Sequence, residues 1–297
     1  MAVAAEAGAG TLGEAAGPLA WQPPSEAFMR RMTALFTPWR WYTAPRCSGL
    51  ANVPTDRPFL LVGNHSLMAV LDVPLMILLL REETGLFPRS VADHVHWSIP
   101  GWRDFLEQAG VVDGTPENCR ALMRAGQSIL VFPGGAREVF KRHGEKYELL
   151  WGERAGFARL AIEFGYPIVP FSALGAEDAY DVVIDSDELL AGPLGPPLLR
   201  ILGRADLVPP IVRGWGPTLL PRPVRFYFHF GRPVETAPRA GRVDPISAFA
   251  TRERVRRSVE AGLGRLMLER ARDPERRLAG RLAAGLRRAL ARGRDAA

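Results

Sequence analysis

Residues 128–140 read Ser-Ile-Leu-Val-Phe-Pro-Gly-Gly-Ala-Arg-Glu-Val-Phe, and their reading decides the fold. Ser128 to Phe132 is an apolar run of strand length that stops at Pro133. Two glycines then let the backbone turn tightly and approach a ligand closely, and Arg137 and Glu138 put a charge pair at the mouth of the turn. Upstream, Phe59 to Val62 repeats the design: a short apolar strand runs into Gly63, Asn64 and His65, with Asp72 seven positions after the histidine. Two strands that each end in a polar turn are how an open α/β sheet builds a site at its strand ends.

Working outward, strands alternate with helices. The pattern predicts a helix from Asp72 to Glu83, a strand near Ser90 to Asp93, a helix over Gly101 to Ala109 and a brief strand at Val111–Val112. It continues with a helix from Pro116 to Ala125 capped by Thr115, a helix from Gly156 to Phe164 and a strand from Ile168 to Ser172. Val224 to Phe230 is a last strand. The fold class is therefore α/β: a mixed, mostly parallel central sheet flanked by helices, with amphipathic helices at both termini.

Residues 1–24, rich in Ala and Gly, are expected as a disordered tail. Residues 25–45 are expected as an amphipathic helix on a membrane surface, capped by Ser25 and ended or kinked by Pro38. Phe28, Met29, Met32, Leu35, Phe36 and Trp39 share its apolar face. Residues 46–240 form the main domain. Within it, 189–223 holds eight prolines among leucines and reads as a hydrophobic insertion. Residues 241–297 are a basic helical tail, with helix starts at Asp244-Pro245 and Asp273-Pro274 and a stripe of Leu278, Leu282, Leu286 and Leu290.

Composition narrows the class. At 297 residues and 47% hydrophobic content the chain can bury a large core. Cys47 and Cys119 make neither a disulfide framework nor a metal spacing, which suits a reducing cytoplasm, and the N-terminus does not read as a signal peptide. The longest apolar run, Val73 to Leu80, falls short of the roughly 20 residues of a membrane span. The net charge of +6 is uneven, with 14 arginines against six acids after Thr251. With no zinc-finger or RNA-platform signature present, that bias points to an anionic membrane surface and away from nucleic acid.

Three blocks together resemble the glycerolipid (lysophospholipid) acyltransferase superfamily. Asn64-His65 with Asp72 is similar to its Asn-His-x4-Asp block. Phe132-Pro133-Gly134-Gly135-Ala136-Arg137 is similar to its Phe-Pro-Glu-Gly-Thr-Arg block, and Tyr166-Pro167-Ile168-Val169-Pro170 to its apolar strand ending in proline. The Gly-Gly-Ala-x-Glu form resembles the diacylglycerol acyltransferase and phytyl ester synthase branch. Two departures stand out: six residues separate His65 from Asp72 instead of four, and Gly134 replaces the third block's Glu. The second block's arginine is also missing from Gly110 to Gly114. In the family those charges help hold a phosphorylated acceptor, so their loss favours an uncharged one.

The resemblance implies transfer of a fatty acyl group from acyl-CoA or acyl carrier protein to the hydroxyl of a neutral lipid acceptor, diacylglycerol or a long-chain alcohol. The implied enzyme sits peripherally on the inner, cytoplasmic face of a membrane. His65 is the expected general base and Asp72 its orienting carboxylate. Asn64, Pro133, Gly134, Gly135, Ala136, Arg137 and Glu138 are the expected substrate-binding residues. The turn's N–H groups face an oxyanion or the phosphopantetheine arm, Arg137 a donor phosphate, and Glu138 either Arg137 or the acceptor. No cofactor and no metal are expected. The alternatives are a lysophosphatidate-type acyltransferase and a non-catalytic lipid-binding protein of the same fold. The lack of any Gly-x-Ser-x-Gly elbow argues against a serine hydrolase.

Overall fold

The structure is a computed structural model that describes residues 22–67, 71–238 and 243–295. Almost all of the expected N-terminal tail, residues 1–21, lies outside the described residues. In chain order, α1 (Glu26–Thr43) leads into β1 (Arg46–Ser48). Then come β2 (Leu60–Gly63), α2 (Val73–Thr84), β3 (Arg89–Ala92), α3 (Trp102–Gln108), β4 (Val112–Asp113), α4 (Pro116–Arg124), β5 (Ile129–Val131), α5 (Ala136–Val139), α6 (Gly156–Phe164) and β6 (Ile168–Leu174). β7 (Asp181–Ile184) and α7 (Ser186–Ala191) follow, and the expected insertion 189–223 holds α8 (Gly195–Leu202) and β8 (Ile211–Arg213). The chain closes with β9 (Tyr227–Phe230), α9 (Pro245–Arg272) and α10 (Leu278–Asp295).

Seven strands form one sheet in the order β1-β9-β6-β2-β5-β3-β4. β6, β2, β5, β3 and β4 run parallel; β9 is antiparallel to β6, and β1 runs with β9. The expected mixed, mostly parallel sheet is what the chain builds. β2 sits at its centre and is buried throughout, which is why it reads as an unbroken apolar run. Its alternate residues feed two cores. Leu60 and Val62 join Ile129, Trp151 and Phe157 on one face, while Phe59 and Leu61 join Leu75, Leu130, Phe171 and Phe228 on the other.

Five sequence expectations need correction. First, β1 was not anticipated. Arg-Cys-Ser has no strand signature and becomes a strand only by pairing with β9. Second, Pro38 does not end α1, which runs on to Thr43 and stops at Ala44 with φ 42°. Tertiary packing outweighs a mid-helix proline here: Phe36 and Trp39 pack on the core, and the Trp39 indole N–H donates to the Leu71 carbonyl at 2.7 Å. Third, the apolar face expected to meet a membrane is spent mainly on the body. Leu35 (66% exposed) and Trp41 (69%) are the large side chains of α1 left in solvent.

Fourth, the boundary at 241 divides what the core joins. α9 lays Val255, Val259, Leu263 and Leu266 into the first core, so it is a layer of the domain. Burial of such side chains stabilises by about 1.5–3 kcal/mol each. Fifth, Asp273 does not start α10. It is buried beyond the end of α9, accepting from Arg225 at 2.9 Å and from the Tyr227 hydroxyl at 2.7 Å, and α10 begins at Leu278.

The segment from β7 to β8, which includes most of the insertion, lies at the same end of the sheet as the two polar turns. Asp185, at the start of α7, accepts the His143 backbone N–H at 2.9 Å, and Arg204 bridges Asp93 after β3 and Asp206 at 2.9 and 2.7 Å. β7 and β8 pair as a separate antiparallel ribbon. Leu194 and Ile201 around α8, and Trp215, Leu219 and Leu220 beyond β8, are exposed.

Candidate active site

Parallel pairing of β2 with β5, Val62 opposite Val131, brings Asn64-His65 and Phe132-Pro133-Gly134 to one edge. Asn64 is buried and clamps the neighbouring strand. Its Oδ1 accepts the Ala173 N–H at 2.8 Å and its Nδ2 donates to the Ala173 carbonyl at 2.9 Å, so its amide is spent on β6 and not on a substrate. The next residue, His65, stacks its ring on Phe132, with centroids 4.0 Å apart and planes 11° from parallel. Its Nδ1 is enclosed with no hydrogen-bond partner among the described residues. Burial, then the charges of Lys141 and His96, push its pKa down to about 3. The ring is thus neutral at neutral pH and holds a proton only weakly.

Asp72 does not meet His65. Its Oδ1 accepts the Ser66 hydroxyl at 2.7 Å, and burial raises its pKa to about 6. The two extra residues of the His65–Asp72 spacing leave Asp72 at the start of α2, where Ser66 takes it. The expected dyad is therefore not formed.

The turn after β5 is braced from behind. Gly135 takes φ 54°, and its N–H donates to the Phe132 carbonyl at 3.1 Å. Arg154 donates to the carbonyls of Pro133 (3.0 Å) and Gly134 (2.6 Å). Of the turn's N–H groups, those of Gly134 and Ala136 have no partner among the described residues. Arg137 is tied to Glu145 and the Phe140 carbonyl, so its guanidinium is not free for a phosphate. Glu138 does not orient Arg137. It is fully buried, accepting the His65 N–H at 3.1 Å and the Leu150 N–H at 2.9 Å, and burial raises its pKa to about 7.

Several residues escaped the sequence reading. Lys141 and Glu177 form an ion pair at 2.7 Å with side chains 2% and 1% exposed. Glu177 also accepts the Tyr147 N–H at 2.6 Å, with Tyr147 in the left-handed region at φ 65°. Lys141 is one of only two lysines in the chain, which could have drawn attention to it, but no local period links it to Glu177. His96, whose charge reaches His65, accepts the Trp102 indole N–H at 3.1 Å.

A family model described as Acyltransferase matches residues 44–173, the segment from β1 to β6 that holds both turns. The chain is 33% identical over 253 residues to "Phytyl ester synthase 1, chloroplastic" of Arabidopsis thaliana, covering 79% of this chain and 36% of that protein. It is also 33% identical over 122 residues to "DGAT1/2-independent enzyme synthesizing storage lipids" of Homo sapiens, covering 41% of this chain and 37% of that protein. It thus spans little more than a third of the length of these relatives. Among solved structures it is similar to the 1-acyl-sn-glycerophosphate (LPA) acyltransferase PlsC of Thermotoga maritima, with TM-score 0.46, 18% identity and 78% of each chain covered.

Proposed function

The chain belongs to the acyltransferase family through the domain that carries this site, and from that premise we propose that it is an O-acyltransferase acting on a neutral lipid alcohol. The acyl donor is a thioester, acyl-CoA or acyl carrier protein, and the acceptor is diacylglycerol or a long-chain alcohol. The observation that carries the reading is His65, whose ring stacks on Phe132 at the head of the glycine turn and whose Nδ1 has no hydrogen-bond partner among the described residues.

In this reading His65 takes the acceptor hydroxyl's proton as the oxygen attacks the thioester carbonyl. The N–H groups of Gly134 and Ala136 face the oxyanion that develops. Collapse breaks the carbon–sulfur bond, and the leaving thiolate takes the proton back from the imidazolium. Arg137 tied to Glu145 leaves the turn without a free cation, and an unpaired phosphate would be costly to desolvate there. One observation favours a second reading, a non-catalytic lipid-binding protein of this fold: Asp72 rests on Ser66 and not on His65.

No helix among the described residues is long and apolar enough to cross a membrane. A lipid acceptor would then be reached from the membrane surface, on its cytoplasmic side, by Ile201, Trp215, Leu219 and Leu220 of the insertion region and by exposed Leu282 and Leu286 on arginine-rich α10. Incubation of the protein with labelled acyl-CoA and a mixture of diacylglycerol, long-chain alcohol and lysophosphatidate tests the assignment. Labelled neutral ester is expected. Preferential labelling of phosphatidate would overturn the neutral-acceptor reading.

A further inference from the structure

Glu138 is a buried carboxylate that substrate chemistry does not use. Its Oε2 accepts the backbone N–H of His65, and its Oε1 that of Leu150, next to the fully buried Trp151. One side chain on α5 therefore fastens the residue that follows β2 to a segment anchored in the core. Each oxygen is thus engaged by a main-chain donor.

The space for this carboxylate comes from Gly134. A Cβ at 134 would lie 2.2 Å from both Cγ and Cδ of Glu138 and 2.3 Å from Oε2, far inside any real contact. The turn itself does not explain the glycine, because the positive φ belongs to Gly135 and not to Gly134. Position 134 must be glycine because Glu138 occupies the place where a side chain would go.

We propose that Glu138 is a positioning residue that holds the His65 backbone, and hence the ring, in register with the glycine turn, and that Gly134 is the space that makes this possible. The proposal rests on the reading of His65 as the base. The charged groups that bear on Glu138 are Lys141, beyond the end of α5, and Glu177, after β6. With its pKa raised to about 7 by burial, Glu138 changes charge near neutral pH. Ionised, it offers acceptors to both N–H groups; protonated, it turns an O–H toward one of them. The hold on His65 therefore loosens as pH falls below about 7.

The test uses the full chain with two independent readouts. By amide NMR, the His65 backbone N–H of the wild type should titrate near pH 7, and the same resonance should be flat in Glu138→Gln. In acyl transfer, Glu138→Gln should lower kcat roughly 10–100-fold with KM unchanged, the cost of slight misplacement of a reacting group. Gly134→Ala should lower both Tm and kcat; Gly134→Ala with Glu138→Ala should recover Tm but not kcat. A wild-type His65 amide that does not move between pH 5 and 9 would overturn the proposal, and so would wild-type kcat in Glu138→Gln or recovery of kcat in the double variant. If the wild type transfers no acyl group, the catalytic reading fails, while the titration still decides whether Glu138 holds His65.

Discussion

The two strand ends that meet at the site are built in opposite ways. After β2, one side chain is locked and the next is left open: Asn64 satisfies both its amide groups on Ala173, and His65 keeps an enclosed Nδ1 with no partner among the described residues. After β5, the cations around the turn are committed. Arg154 holds the turn's carbonyls, Arg137 holds Glu145, and Lys141 holds Glu177. The difference teaches where chemistry can reside. The β5 end is a frame that offers only backbone N–H groups, and the β2 end presents the side chain with an unmet hydrogen-bonding capacity.

Breaking the frame should have the largest effect. Lys141→Ala leaves Glu177 buried without its partner, and loss of one member of a buried pair typically costs about 3–5 kcal/mol. Chemical denaturation should show that loss; a change below about 1 kcal/mol would mean that the pair is not buried in solution. Asn64→Ala comes next. It strands the Ala173 N–H and carbonyl at the strand edge, at about 1–3 kcal/mol for a buried unsatisfied group, again read as a shift in the denaturation midpoint.

Asp72→Asn sharpens the comparison on the β2 side. Because Asp72 is bonded to Ser66, its amide isostere should reduce acyl transfer less than about tenfold, well short of loss of a general base. A drop as large as that of a His65 variant would show that Asp72 reaches His65 during turnover.

The pH dependence of stability separates the same groups. His65 has an ordinary pKa of 6.5 when unfolded and about 3 in the fold, so the unfolded chain binds its proton first. Stability from this group is present above about pH 6.5 and is lost as pH falls toward 3, by at most about 1.4 kcal/mol per pH unit. Asp72 and Glu138, both raised by burial, act in the opposite sense: the fold binds their protons first, and stability falls as pH rises through about 6 and about 7. His65→Ala should therefore lose less Tm than the wild type between pH 6.5 and pH 4. Parallel curves would contradict the neutral ring.

The smallest effect is expected at the surface. Truncation after Arg277 removes α10, with little of the core, and should weaken binding to anionic vesicles mainly at low salt, by about 1 kcal/mol per arginine that reaches the surface. Binding that is unchanged by the truncation would place the membrane contact elsewhere.

Much of the sheet was legible because its central strands are buried on both faces and read as apolar runs: β2, β5 and β6 all fall where the sequence put them. The helices with a clear cap were equally plain, as at Thr115 and Asp244. What stayed hidden depends on partners distant in the chain. β1 exists only through β9. α9 and α10 both looked like arginine-rich helices begun by Asp-Pro, and nothing in their period shows that Val255 and Val259 meet the sheet while Leu282 and Leu286 face solvent. At the site, the motifs located His65 and the glycine turn, but not the fate of each polar group. Asp72 turned to Ser66, Arg137 to Glu145 and Glu138 to the His65 backbone, and each choice is made by burial and geometry that no motif states.

The central claim, that the β2 end supplies the chemistry, is tested most directly by the acyl-transfer rate of His65→Ala in a protein shown to be folded by its Tm. Loss of the base is expected to lower kcat by roughly 10²–10⁴-fold while leaving donor binding in place. A folded His65→Ala protein that keeps more than about a tenth of the wild-type rate would contradict the account, because that loss falls short of the roughly 10²-fold lower end typical of a general base.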